Sequence, residues 1–235
     1  MNIGGVVPFS LSDYPGCVAA VVFTKGCNFN CPYCHNRGLI APCEPAQHPR
    51  RESAARGDEE VSALLMSLRE QRRFLDGLVV SGGEPTCQLA LKPFITAVKD
   101  LGLKVKLDTN GSHPEVLVEL LENELLDYVA MDIKAPWRRY PEVVNRAVDV
   151  QAIRASVDVL WRSPVAHEFR ITAASPLLSA DDLLEIGGDI GHKGPLYLQK
   201  FRQPHFKLAQ RMDTTAGIDL VCSKLQRAFN TVYIR

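Results

Sequence analysis

Short apolar runs alternate along the chain with longer stretches that are apolar on one face only, and this alternation predicts the elements. Residues 17–24, "CVAAVVFT", form a β-branched apolar run suited to a strand buried on both faces. Residues 58–73 place Val61, Leu64, Leu65 and Leu68 at helical spacing behind an acidic first turn. Strands follow at 77–83, 104–111 and 127–134, separated by helices at 89–102 and 114–123, with a further helix at 149–163. Residues 167–173, 180–190, 196–200, 219–229 and 231–235 continue as strand, helix, strand, helix and strand.

Repeated βα units imply a parallel sheet with helices on its outer side. About six units fall short of the eight of a closed barrel. The expected fold is therefore α/β, an open partial (β/α)6 barrel, with a doubly wound flat sheet as the alternative. In both, ligands gather at the carboxyl ends of the strands. No internal repeat or linker divides the chain, so residues 1–235 are expected to form a single domain. Residues 41–57 and 135–148, rich in proline and charge, are predicted to be long loops. The glycines in "GGDIGHKG" (187–194) lack phosphate-loop spacing and are expected to end a helix.

Composition narrows the class. Lysine plus arginine (27) equals aspartate plus glutamate (27), which gives no electrostatic footprint for nucleic acid or an anionic membrane. The N-terminal stretch has no basic n-region and no long apolar segment, and "VAAVVF" is far short of the ~20 residues a membrane span needs. A soluble, cytoplasmic protein is expected. Its seven cysteines are an odd number, which in a reducing compartment argues against a disulfide framework.

Three of those cysteines lie together in "KGCNFNCPYCHNRG" (25–38), with His35 directly after Cys34. Zinc would want four ligands, commonly in paired Cys-x-x-Cys groups, and no second pair exists. "CPYCH" also reads as a haem-attachment motif, but that chemistry normally needs export and leaves Cys27 unused. A four-iron cluster fits the set better. Cys27, Cys31 and Cys34 supply three soft thiolates and leave one iron open to a small molecule. Cys17, Cys43, Cys87 and Cys222 stand outside any motif and read as small buried hydrophobes.

The predicted strand ends carry polar residues with two readings each. In "SGGEP" (81–85), Gly82 and Gly83 allow close approach to the backbone, and Pro85 can open the next helix. In "LDTNG" (107–111), an Asn-Gly turn capped by Asp108 would account for the sequence. In "AMDIK" (130–134), Asp132 and Lys134 share one strand face and could neutralise each other. In "EFRIT" (168–172), Arg170 needs an anion, either a ligand carboxylate or a neighbouring strand's.

Cys27-x3-Cys31-x2-Cys34, with Tyr33 before the third cysteine, resembles the signature of radical S-adenosylmethionine (SAM) enzymes. The wider string from Phe23 through Gly26 to Asn36 is similar to that of the glycyl-radical-enzyme activating branch, and the resemblance, which runs from "DYPG" (13–16) through "LYLQKF" (196–201), is closest to the small activating proteins of anaerobic ribonucleoside-triphosphate reductase. The resemblance implies a [4Fe–4S] cluster on Cys27, Cys31 and Cys34, and SAM as second cofactor. It implies a cofactor-binding role for Tyr33. Gly82, Gly83 and Glu84 would receive the ammonium and methionine part of SAM, while Asp108, Thr109 and Asn110 would lie near its ribose and carboxylate. Asp132 and Lys134 would line the active site, with Arg170 toward the SAM carboxylate. Asp108 and Asp132 could also hold a monovalent cation.

The implied activity is reductive SAM cleavage and abstraction of a hydrogen from one glycine of a partner enzyme. The sequence shows no cysteine-rich ferredoxin-like insertion, so an external flavodoxin or ferredoxin is the expected electron donor. Two alternatives stand: a short radical SAM enzyme acting on a small molecule, as in 7-carboxy-7-deazaguanine synthesis, and a non-catalytic iron–sulfur or metal-binding module.

Overall fold

The computed structural model describes residues 1–40, 51–174, 177–191, 195–200, 223–226 and 232–234. Two compact units account for the chain. The first comprises Met1–Asn28, Asn36–Thr109 and Glu115–Val129, and the second Phe29–His35, Asn110–Pro114 and Ala130–Arg235.

In the first unit, β1 (Ile3–Ser10) pairs antiparallel with β2 (Ala19–Thr24), for example Val6 opposite Val22. β2 then pairs in parallel with β3 (Gly77–Gly82), and β3 with β4 (Lys104–Thr109). Ala19 to Val22 are at most 1% exposed, as expected for a strand covered on both faces. Helix α1 (Arg51–Gln71) buries Leu64 and Leu68 and half-buries Val61 and Leu65, the face their spacing predicts. Helix α2 (Leu91–Asp100) buries Leu91, Phe94, Ile95 and Val98, an i, i+3, i+4, i+7 stripe worth ~1.5–3 kcal/mol per large side chain. Helix α3 (Pro114–Glu122) begins on proline, whose missing N–H costs nothing in a first turn, and buries Leu117 and Leu120.

Strand β5 (Tyr128–Ile133) carries the boundary between the units. In the second unit, a 3-10 turn at Trp137–Arg139 leads into α4 (Tyr140–Val144), which stops at Asn145 in the left-handed conformation. Asp149 caps α5 (Val150–Arg162) by accepting from the N–H of Gln151 at 2.9 Å. Strand β6 (Ala166–Ala173) pairs in parallel with β7 (Leu196–Lys200), and β7 with β8 (Val232–Ile234), where Tyr197 and Tyr233 stack at 4.8 Å. Between β6 and β7 lies α6 (Ala180–Ile190), opened by a reciprocal capping box between Ser179 and Asp182. Gly187 and Gly188 sit inside α6, and Gly191, at φ +78°, ends it as expected. In this unit Ile153, Val157, Leu160, Phe169, Ile171, Ile186 and Leu198 are all buried.

The fold is thus α/β with a mostly parallel sheet, and three expectations need correction. β1 is absent from the elements that patterning predicts. Residues 51–57, expected as loop, belong to α1, while 41–50 lie outside the described residues. The stretch 135–148 is not a loop throughout. It holds a 3-10 turn and α4, fastened by Arg138 to Asp182 and Glu185 and by Arg139 to Asp182 and Glu142. Of the helix predicted at 219–229, residues 223–226 are helical and the rest lies outside the described residues, as do Cys43 and Cys222.

Candidate active site

The strand ends of the first unit are bound together by backbone before any ligand is considered. Gly83 N–H donates to Thr24 O at 2.9 Å, and Glu84 N–H to Gly26 O at 2.8 Å. A Cβ on Gly82 would lie 2.2 Å from Thr24 N, and one on Gly83 would lie 2.0 Å from Gly26 O. Gly82 also has φ +119°, a conformation closed to other residues. The close approach that these glycines permit is therefore made by the segment just before Cys27. That segment turns at Gly26, φ +93°, whose N–H donates to Leu39 O at 2.8 Å.

Glu84 is 1% exposed, and its Oε1 accepts three hydrogen bonds: Thr86 N–H at 3.1 Å, Thr86 Oγ1 at 2.6 Å and Thr109 Oγ1 at 2.7 Å. It caps the 3-10 turn Pro85–Cys87 and ties the end of β3 to the end of β4. Proline follows at the first turn position, as expected. Asp108 is held in the same unit, Oδ2 by Ser81 Oγ at 3.0 Å and Oδ1 by Lys106 Nζ. Neither Ser81 nor Lys106 stands out in the sequence. The strand period of two, which puts Lys106 and Asp108 on one face, is the available signal.

In the second unit, Asp132 is the centre of a charge cluster. Its Oδ1 accepts from Arg170 Nε at 2.7 Å and its Oδ2 from Lys134 Nζ at 2.9 Å. Burial pushes the Asp132 carboxyl up, but the two cations outweigh it and hold the group well below the usual carboxylate range. Burial would lower the Lys134 ammonium, and Asp132 more than reverses that. Both readings open in the sequence are met: Asp132 and Lys134 neutralise each other, and Arg170 takes a strand carboxylate. Asn110 Oδ1 accepts from Ser112 N–H at 2.9 Å, with Gly111 at φ +73°. An Asn-Gly turn is present, and Asn110 caps it through Ser112 N–H, while Asp108 also accepts from Ser81 and Lys106.

The cysteine loop is anchored around Cys31. Asn30 N–H donates to Val144 O at 2.9 Å, and Cys34 N–H to Cys31 O at 3.1 Å. Tyr33, 3% exposed, donates from its hydroxyl to Lys134 O at 3.2 Å, while Lys134 N–H donates to Tyr140 Oη at 3.1 Å. Phe29 meets the Tyr140 ring edge-on at 6.2 Å. Tyr33 thus holds the loop against the residues that follow β5. Burial pushes the Cys31 thiol up, with Lys134 pulling against it. Burial and Lys134 together lower the His35 imidazole, and Asp132 opposes them.

Cys27, Cys31 and Cys34 are thiols outside any disulfide. Among the described residues no three His, Cys, Asp or Glu side chains converge as a ready-made metal site. The fit to an iron–sulfur cluster is one of donor chemistry: three soft sulfur ligands on one short loop. Asp108 and Asp132, to which the resemblance assigns a monovalent cation, already carry protein cations. A cavity of about 260 Å³ lies elsewhere, lined by Trp137, Val157, Trp161 and Asp189, and contains none of the predicted site residues.

Comparison with known proteins identifies the family. The family model of the Radical SAM superfamily matches residues 21–186. A Methanocaldococcus jannaschii protein that carries the name glycyl-radical enzyme activating enzyme is 33% identical over 204 residues, 85% of this chain and 79% of the relative. The 7-carboxy-7-deazaguanine synthase of Methanopyrus kandleri is 32% identical over 134 residues, 50% of this chain and 49% of that protein. Among solved structures, QueE from Escherichia coli superposes with a TM-score of 0.55 at 15% identity, over 99% of this chain and 92% of the other, which speaks for the fold alone. This chain belongs to the radical SAM superfamily, within its glycyl-radical-enzyme activating enzymes, and so uses a [4Fe–4S] cluster and S-adenosylmethionine.

Proposed function

We propose that this chain activates an anaerobic ribonucleoside-triphosphate reductase by installing a radical on one glycine of that partner. The observation that carries the activase reading is the relative matched over 85% of the chain, against 50% for the deazaguanine synthase. The choice of a reductase as partner rests on the resemblance that runs from residues 13–16 through 196–201 and on the lack of a cysteine-rich insertion in the sequence. A reduced cluster on Cys27, Cys31 and Cys34 would supply the one electron that reductive cleavage of SAM needs, and SAM cleavage would supply the oxidising power to take the glycine hydrogen. Cys27, Cys31 and Cys34 hold the iron, and a flavodoxin or ferredoxin is the electron source. The residues at the strand ends hold SAM: Gly82, Gly83 and Glu84 at its methionine part, and Asp108, Thr109 and Asn110 at its ribose and carboxylate. Asp132, Lys134 and Arg170 supply fixed charge, and Tyr33 steadies the cysteine loop. No helix among the described residues is long and apolar enough to cross a membrane. The cytoplasm, where thiols stay reduced, is the proposed location.

The test is electron paramagnetic resonance on the reduced protein mixed anaerobically with SAM and the reductase. A glycyl doublet should appear on the partner and vanish when its candidate glycine becomes alanine. SAM cleavage without a radical on any glycyl-radical enzyme of the same organism overturns the reading. The match to the deazaguanine synthase supports a second reading, a small-molecule enzyme, and turnover of a pterin substrate under those conditions would select it.

A further inference from the structure

Side chains of β4 alternate between two faces, so Lys106 and Asp108 share one face while Val105, Leu107 and Thr109 share the other. Lys106 is only 2% exposed. A buried ammonium is strongly destabilising unless it is paired. Its partner is Asp108, and its Nζ also lies 6.0 Å from the centroid of the Tyr128 ring. Ser81 on β3 holds the other oxygen of the same carboxylate. Asp108 remains partly open, with 15% of its side chain exposed. One carboxylate is thus gripped at both oxygens by protein donors and still reaches solvent. For stability alone, two apolar residues of similar volume would serve this strand as well.

We propose that Lys106 is a positioning residue. It holds Asp108 in one rotamer, so that the solvent-facing edge of the carboxylate is presented to hydroxyl groups of bound SAM. An acceptor fixed in advance needs no ordering when the ligand arrives. This rests on the reading that Asp108 belongs to the SAM site.

The experiment is anaerobic calorimetry of SAM binding to cluster-loaded wild type, Lys106→Met, Asp108→Asn and the double variant. Each single change should weaken binding about tenfold. The double should match Asp108→Asn within about twofold, since Lys106 acts through Asp108. Methylammonium should restore affinity to Lys106→Ala where sodium at equal ionic strength does not, which repacking alone would not produce. Ser81→Ala strands no charge and should weaken binding about threefold, which keeps the test open if Lys106→Met fails to fold. Normal affinity in Lys106→Met or in Ser81→Ala, or additive losses in the double, overturns the proposal while leaving Asp108 in the site. Normal affinity in Asp108→Asn overturns that placement of Asp108, and the role of Lys106 with it.

Discussion

Arg170 donates from Nε to Oδ1 of Asp132 at 2.7 Å, tying β6 to β5 through one carboxylate whose second oxygen is taken by Lys134. These largely buried pairs hold only while the carboxylate stays ionised. Asp132→Asn removes the carboxylate that faces both cations and should cost about 3 kcal/mol at neutral pH, read from urea unfolding. The folded carboxyl titrates below its ordinary 3.8, so its stabilising contribution is complete above that value and is lost as pH falls toward the folded one. The gap between wild type and variant should therefore narrow below about pH 4. An equal gap at neutral pH and in strong acid would contradict the ion-pair account.

Lys134 also acts on the cysteine loop. Burial raises the Cys31 thiol above its ordinary 9.0, and the Lys134 ammonium moderates the rise. Iron binds the thiolate, so uptake by apoprotein should speed up as pH rises toward that value. Lys134→Met should slow loading near neutral pH and lose most of that defect in alkali. Anaerobic reconstitution, followed as iron per chain, checks this, with about four irons at completion. Loading should fail in Cys31→Ala and persist in Cys87→Ala. A Lys134→Met protein that loads like wild type at neutral pH would remove Lys134 from this role.

Patterning reveals the elements whose burial is one-sided or complete, and misses those where it is neither. β2 and α2 are legible because Ala19 to Val22 and the Leu91–Val98 stripe repeat with the period of their element. β1 is not, because Val6, Val7 and Phe9 are all 40–49% exposed and so show no alternation. The first turns of α1 follow proline-rich sequence and share its loop-like composition. At the site, the cysteine spacing and the acceptor residues can be read directly. Their partners cannot, because Thr109 meets Glu84 and Ser81 meets Asp108 only once parallel strands lie in register. For the same reason the capping role of Asn110 in the Asn-Gly turn is not legible in the sequence.

The glycine pair offers a test of how closely the end of β3 is packed. Gly83→Ala would press a methyl onto the Gly26 carbonyl, backbone that cannot swing aside, directly before Cys27. A loss of about 2–3 kcal/mol is expected, together with poorer iron retention. Gly38, where an added methyl would meet nothing within 4 Å, is the control and should tolerate alanine with both properties unchanged. Thermal melting and iron content of the two variants decide the matter. Normal stability in Gly83→Ala would show that the Gly26 segment yields more easily than its hydrogen bonds suggest.

Asn110 lets a structural role be separated from a ligand role. Its Oδ1 caps the turn through Ser112 N–H, whereas its amide group is a donor that aspartate lacks. Asn110→Asp keeps the acceptor and should preserve the turn and the melting temperature. It should nevertheless weaken SAM binding about fivefold or more if the amide donates to the cofactor. Asn110→Ala removes acceptor and donor together and should lose about 1 kcal/mol of stability as well as affinity. Iron content should stay near normal in both, because neither change removes a cysteine. Anaerobic calorimetry alongside thermal melting separates the two effects. Wild-type SAM affinity in Asn110→Asp would leave Asn110 as a turn residue and nothing more.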